Sequence, residues 1–126
     1  MVLTFDEVAQ LLDEIADSFP QEFYEHLNGG VLLLPEADFH PDTPDLLTMG
    51  LYCHDMMGRY IKIFYGSMAQ LAKNEKWTRE DWEDELWGTL SHEFTHHLEG
   101  LAGERALEIK DEIQMDEYWD SKRRED

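Results

Sequence analysis

The chain is poor in cysteine, poor in positive charge and free of long apolar runs. Its one cysteine, Cys53, has no partner, so no internal disulfide and no four-cysteine metal cage can form. Lysine and arginine number 10 against 29 acidic residues, a formal net charge of −19 over 126 residues. Such a surface repels a phosphate backbone and an anionic membrane face, which excludes nucleic acid and membrane as expected partners. The same charge would draw cationic substrates or metal ions toward a cleft. No apolar stretch approaches the length that crosses a bilayer. The opening Met1-Val2-Leu3-Thr4-Phe5-Asp6-Glu7 lacks the basic start and apolar run of a signal peptide, so the expected location is the cytoplasm.

Large aromatic residues are plentiful: four Trp, five Tyr and six Phe supply the pieces of a core that a disordered chain would lack. The length suits one domain, residues 1–126, with a modest core. Thr4 and Glu7 fit a capping box, and Phe5, Val8, Leu11, Leu12, Ile15 and Phe19 follow with helical spacing, which predicts a helix to about Ser18. Gln21 to Leu27 reads as a second short helix ended by Asn28-Gly29-Gly30. Val31 to Leu34 reads as a strand buried on both faces, and Ala37 to Asp45, with Pro41 and Pro44, as a loop. The runs Leu47–Tyr52 and Tyr60–Tyr65 flank a turn-prone stretch and predict a hairpin. Gly66 to Ala72 can begin another helix. The expected fold class is therefore α+β, with helices packed beside a small sheet that contains a hairpin.

The stretch His92-Glu93-Phe94-Thr95-His96 carries the chemistry. On a helix, positions four apart lie one above the other, so His92 and His96 can grip one metal ion. Glu93 flanks the first histidine, where a carboxylate can take a proton from water at the metal. Thr78 can cap this helix, with Asp81 in its first turn. Trp82, Leu86, Leu90, Phe94 and Leu98, with Trp87 and Leu101 nearby, form an apolar stripe beside which both histidines lie. Gly100 and Gly103 are expected to weaken or end the helix, and a last helix is expected from Glu104 to about Trp119.

Taken in order, these pieces resemble the small bacterial zincin-like metallopeptidases, whose domain is matrix-metalloprotease-like. The resemblance runs through the Phe5-Asp6-Glu7-Val8 opening, Phe19-Pro20-Gln21-Glu22-Phe23, the short strand near Val31, Gly50-Leu51-Tyr52, and Ile61 to Tyr65. It ends on Leu90-Ser91-His92-Glu93-Phe94-Thr95-His96-His97, the specific part. The resemblance implies a compact α+β domain, bound Zn²⁺ and a peptide or protein substrate. In that family a glycine commonly stands three residues after the second histidine and an acidic residue three further on. Here those positions hold Glu99 and Ala102, while the glycines come at 100 and 103, followed by Glu104.

The third ligand therefore has alternatives. Glu99 shares the metal face but lies about 7–8 Å along the axis from a metal between the two histidines. Glu104 follows two glycines that can turn the chain back over the site, and it is the favoured ligand. Glu108, Asp111 and Glu112 are a fallback supplied by a separate helix. His97 sits on a different face and suits packing or a hydrogen bond that supports the site. Cys53 suits a small buried position, and Trp82, Trp87 and Trp119 suit the core. Tyr65 and Tyr118 are candidate donors to a developing oxyanion.

The function expected from the sequence is zinc-dependent peptide hydrolysis with Glu93 as general base and His92, His96 and Glu104 (or Glu99) as metal ligands. By analogy with zincin edge strands, the segment Ile61 to Tyr65 is the expected docking strand for an extended peptide. The alternative is a non-catalytic metal-binding or interaction domain that retains a zincin frame.

Overall fold

The computed structural model describes residues 1–40 and 42–108, with side chains left aside at 44, 45 and 105–108. Thr4 caps helix α1 (Phe5–Asp17): its hydroxyl accepts from the Glu7 N–H, and the Glu7 carboxylate accepts from the Thr4 N–H. A short 3₁₀ turn, Gln21–Tyr24, follows Pro20. It is shorter than the helix expected to Leu27, because the chain opens at Glu25 and takes a left-handed conformation at His26.

Five strands come next: β1 (Gly30–Leu34), β2 (Asp38–His40), β3 (Thr43–Thr48), β4 (Gly50–Asp55) and β5 (Gly58–Phe64). Strands β2 and β3 pair antiparallel as a separate ribbon that begins in the stretch expected to be a loop and takes Leu47 and Thr48 from the run expected to open the hairpin. The main sheet has the order β1-β5-β4, with β1 parallel and β4 antiparallel to β5. The fold is thus α+β with a hairpin, as the patterning predicts. The hairpin is β4–β5, and its turn is Met56-Met57 with Gly58 at φ +100°. Strand β1 is not buried on both faces. It is an edge strand, and Leu32 on its outer face is 41% exposed.

Helix α2 (Tyr65–Glu75) leaves directly from β5 and ends at Lys76, which adopts a left-handed conformation (φ 56°). Helix α3 (Arg79–Glu108) begins at a second capping box. The Thr78 hydroxyl accepts from the Asp81 N–H at 3.2 Å, and the Asp81 carboxylate accepts from the Thr78 N–H at 2.8 Å. Its 30 residues run unbroken through Gly100 and Gly103, neither of which has a positive φ. The expected helix break is therefore absent, and residues Glu104 to Glu108 belong to α3. The remainder of the expected last helix, to Trp119, lies outside the described residues.

The core lies between the inner face of the sheet and the helices. Ile61 and Ile63 meet Trp82, Leu86, Leu90 and Phe94 of α3, with Val8, Leu11 and Leu12 of α1 closing the other side. Each such side chain contributes roughly 1.5–3 kcal/mol by leaving water. Trp87 departs from expectation: it is 52% exposed and stacks on Phe19 at 5.3 Å. No described helix is long and apolar enough to cross a membrane.

Candidate metal and catalytic site

The buried stripe of α3 fixes the roll of the helix. With Leu86, Leu90 and Phe94 turned inward, Glu93 and His97 face strand β4, while His92 and His96 emerge at the surface beside it. The two exposed rings converge: His92 Nε2 and His96 Nε2 are 3.1 Å apart, with ring planes at 90°. Two imidazoles bound to one tetrahedral zinc at about 2.0–2.1 Å place their nitrogens about 3.3 Å apart. The spacing here fits a shared cation within a few tenths of an ångström. It equally fits an imidazole–imidazole hydrogen bond in the metal-free protein.

Glu93 is only 6% exposed. Burial raises its pKa, against the pull of both imidazoles and of the nearby Tyr52 backbone N–H. The direction of that N–H follows from the sheet register. Arg59, opposite His54, turns its own N–H to Asn28 and its carbonyl to Gly29, away from β4. His54, Tyr52 and Gly50 of β4 therefore turn their N–H and C=O groups away from β5 in the alternating antiparallel pattern. Gly50 makes the close approach of β4 to the helix possible. A Cβ there would lie 2.7 Å from Thr89 Cγ2 and 3.3 Å from Glu93 Oε2.

One turn beyond Glu93, His97 is fully buried and bonded at both nitrogens. Its Nε2 lies 2.8 Å from the Glu25 carbonyl oxygen, which can only accept, so Nε2 carries the proton. Nδ1 is then bare and accepts from the Tyr52 hydroxyl at 2.9 Å. Burial pushes the His97 pKa down and keeps the ring neutral. His97 is thus packed and hydrogen-bonded rather than turned to the histidine pair. The Tyr52 hydroxyl also meets Arg59, whose guanidinium is ion-paired with Glu104.

The structure places the favoured third ligand, Glu104, away from the histidine pair. The unbroken helix carries Glu104 about 12 Å along the axis beyond His96. There it binds Arg59, which holds its carboxyl below the usual range. Glu99 is half-buried on α3. Among the described residues, no three His, Cys, Asp or Glu side chains are grouped to hold a metal ion, so neither Glu104 nor Glu99 joins the histidine pair in this conformation. The Glu108 side chain, Asp111 and Glu112 lie outside the described residues, as does Tyr118. Tyr65 is committed elsewhere, its hydroxyl donating to the Leu3 carbonyl at 2.6 Å, so it is not the oxyanion donor.

The docking-strand expectation is also corrected. Strand β5 is hydrogen-bonded along both edges, to β1 and to β4, and has none to offer a peptide. The edge beside Glu93 belongs to β4. An open cleft of about 390 Å³ lies there, with Met49 and Gly50 on one wall and Glu85, Thr89, His92 and Glu93 on the other. Sequence patterning could not find this wall, because Gly50 and Glu85 matter only through the packing of β4 on α3.

No family model matches the chain, and no curated protein matches it. Among solved structures, a conserved hypothetical protein (TTHA0227) from Thermo thermophilus is 32% identical. The match covers 80% of this chain and 99% of that one, with a TM-score of 0.71.

Proposed function

The chain belongs to the family of the conserved hypothetical protein TTHA0227, and we propose that it is a zinc-dependent peptidase of the zincin kind. The observation that carries the reading is the convergence of His92 and His96 Nε2 atoms at 3.1 Å beside a carboxylate, Glu93, that is only 6% exposed. His92 and His96 would hold the zinc, and after Glu93 the described carboxylate nearest to them along the helix is Glu99. When bound, zinc supplies Lewis acidity, drawing electron density from a carbonyl oxygen and from water.

The protein's own groups do the rest. Glu93 accepts the proton released as water attacks the carbonyl carbon, and passes it to the leaving amine. The Tyr52 N–H, near the Glu93 carboxylate, favours the charged form that accepts a proton. The outward N–H and C=O of Gly50 offer an extended peptide a strand to pair with at the mouth of the cleft.

Metal analysis of protein purified without an affinity tag tests the reading, together with hydrolysis of a mixed peptide library. One zinc per chain is expected, lost in His92→Ala and in His96→Ala, retained in Glu93→Gln with hydrolysis abolished, and retained in Glu104→Ala. A protein that binds no zinc, or a Glu93→Gln variant that turns over peptides as fast as the unmodified chain, sinks the reading.

A further inference from the structure

We infer that the cleft beside Glu93 is a subsite for a lysine or arginine side chain of the substrate, with Glu85 as its counter-ion. The inference rests on the peptidase reading and names the substrate class that reading leaves open.

Glu85, Thr89 and Glu93 follow one another at four-residue intervals, so they line one strip of α3 and form one wall of the cleft. Its volume of about 390 Å³ lies in the range of small-ligand sites, about 300–1,000 Å³. Gly88 widens it: a Cβ there would meet nothing within 4 Å. Met49 on the opposite wall offers an apolar surface for a methylene stem, as the long cationic side chains require.

Glu85 is half-buried, with the Thr89 side chain one turn along the helix. Burial, with the nearby Glu75 charge, pushes its pKa up. The ion pairs among the described residues are Arg59–Glu104 and Arg79–Glu83, so none of them neutralises Glu85. A partly desolvated carboxylate is stabilised by a cation. The two carboxylates of the cleft have separate tasks. Glu93 lies next to the histidines, and Glu85 stands about 12 Å up the helix. That distance is spanned by one long side chain plus one or two extended residues, at about 3.3–3.6 Å each. A second hollow, lined by Glu75, Asp81, Asp84 and again Glu85, continues the negative field outward and steers cations inward.

The experiment is an NMR titration of the full, metal-free chain with N-acetyl-lysine methylamide and with its uncharged counterpart, N-acetyl-norleucine methylamide. The lysine probe is expected to shift the amides of Met49, Gly50 and Thr89 and to bind about fivefold tighter than the norleucine probe. Glu85→Gln abolishes the difference. Asp13→Asn removes the same charge from the exposed face of α1 and leaves the difference intact. Equal binding of the two probes by the unmodified chain overturns the inference, as does no binding by either at millimolar concentration. So does a preference that survives Glu85→Gln or is lost equally in Asp13→Asn. No hydrolysis is read, so the outcome is separate from the peptidase test: lysine binding by a chain that cleaves nothing removes the peptidase and keeps the subsite.

Discussion

The Tyr52 hydroxyl donates to Nδ1 of His97 across 2.9 Å, joining the edge strand to helix α3 one turn beyond Glu93. The backbone N–H of the same residue lies near Glu93 and favours its charged form. His97 is fully buried, and its other nitrogen is committed to the Glu25 carbonyl. Removing the hydroxyl in Tyr52→Phe leaves Nδ1 with no donor in a dry site. The expected loss of unfolding free energy is about 1–3 kcal/mol, read by urea denaturation with an unchanged slope. A loss below about 0.5 kcal/mol would show that the bond contributes no more than an ordinary exposed one.

Gly50 is required by the close packing of β4 on α3. A methyl group there would meet Thr89 Cγ2 at 2.7 Å, well inside contact distance. Gly50→Ala is expected to cost about 1–3 kcal/mol, the usual range for overpacking. Thr89→Ser removes the opposing methyl, so the double variant should recover much of that loss. A thermodynamic cycle measures the coupling, and strictly additive effects would mean that the two side chains do not meet.

These two contacts mark the limit of what patterning reveals. The α3 stripe was legible because buried apolar residues recur with the helical period: Trp82, Leu86, Leu90 and Phe94 are all buried where the spacing puts them. The pairing of His92 with His96 follows from the same geometry. The position of Glu104 was not legible, because it depends on whether Gly100 and Gly103 break the helix. Each glycine costs a helix only about 1 kcal/mol, and packing on either side outweighs that. Beside them, Gly100 lies against Tyr52 and Ala102 is buried. The β2–β3 ribbon was hidden by Pro41 and Pro44, which read as loop signals, although an edge strand such as β3 tolerates a proline like Pro44. The choice of β4 over β5 as the free edge is a matter of strand order, which no local pattern encodes.

Tyr60 gives a pH-dependent prediction away from the site. Its hydroxyl donates to Asp55 at 2.6 Å across the hairpin, and this bond is the main cause that pushes its pKa up to about 12 while the Asp55 carboxyl is pushed down. The raised group favours the folded chain fully below the unfolded tyrosine value, near 10, and loses that contribution as pH rises through about 12. The lowered carboxyl acts in the opposite sense: its contribution is present above the unfolded aspartate value of about 4 and fades as pH falls. Absorbance titration near 295 nm should find one tyrosine ionising late, and Asp55→Asn should return it toward the ordinary range. A late tyrosine that survives Asp55→Asn would assign the shift to another cause.

Gly103 tests the unbroken helix directly. A Cβ at this position meets nothing within 4 Å, and the residue has helical backbone with no positive φ. If α3 runs straight through to Glu108, Gly103→Ala keeps the native contacts and removes conformational freedom from the unfolded chain. The expected gain is about 0.5–1 kcal/mol, seen as a higher urea midpoint. If instead the chain turned back at Gly103 to carry Glu104 to the histidines, the residue would need the left-handed backbone that alanine resists, and the substitution would destabilise by more than that gain. The sign of one free-energy difference thus decides between a helix that holds Glu104 on Arg59 and a break that carries it toward the two histidines.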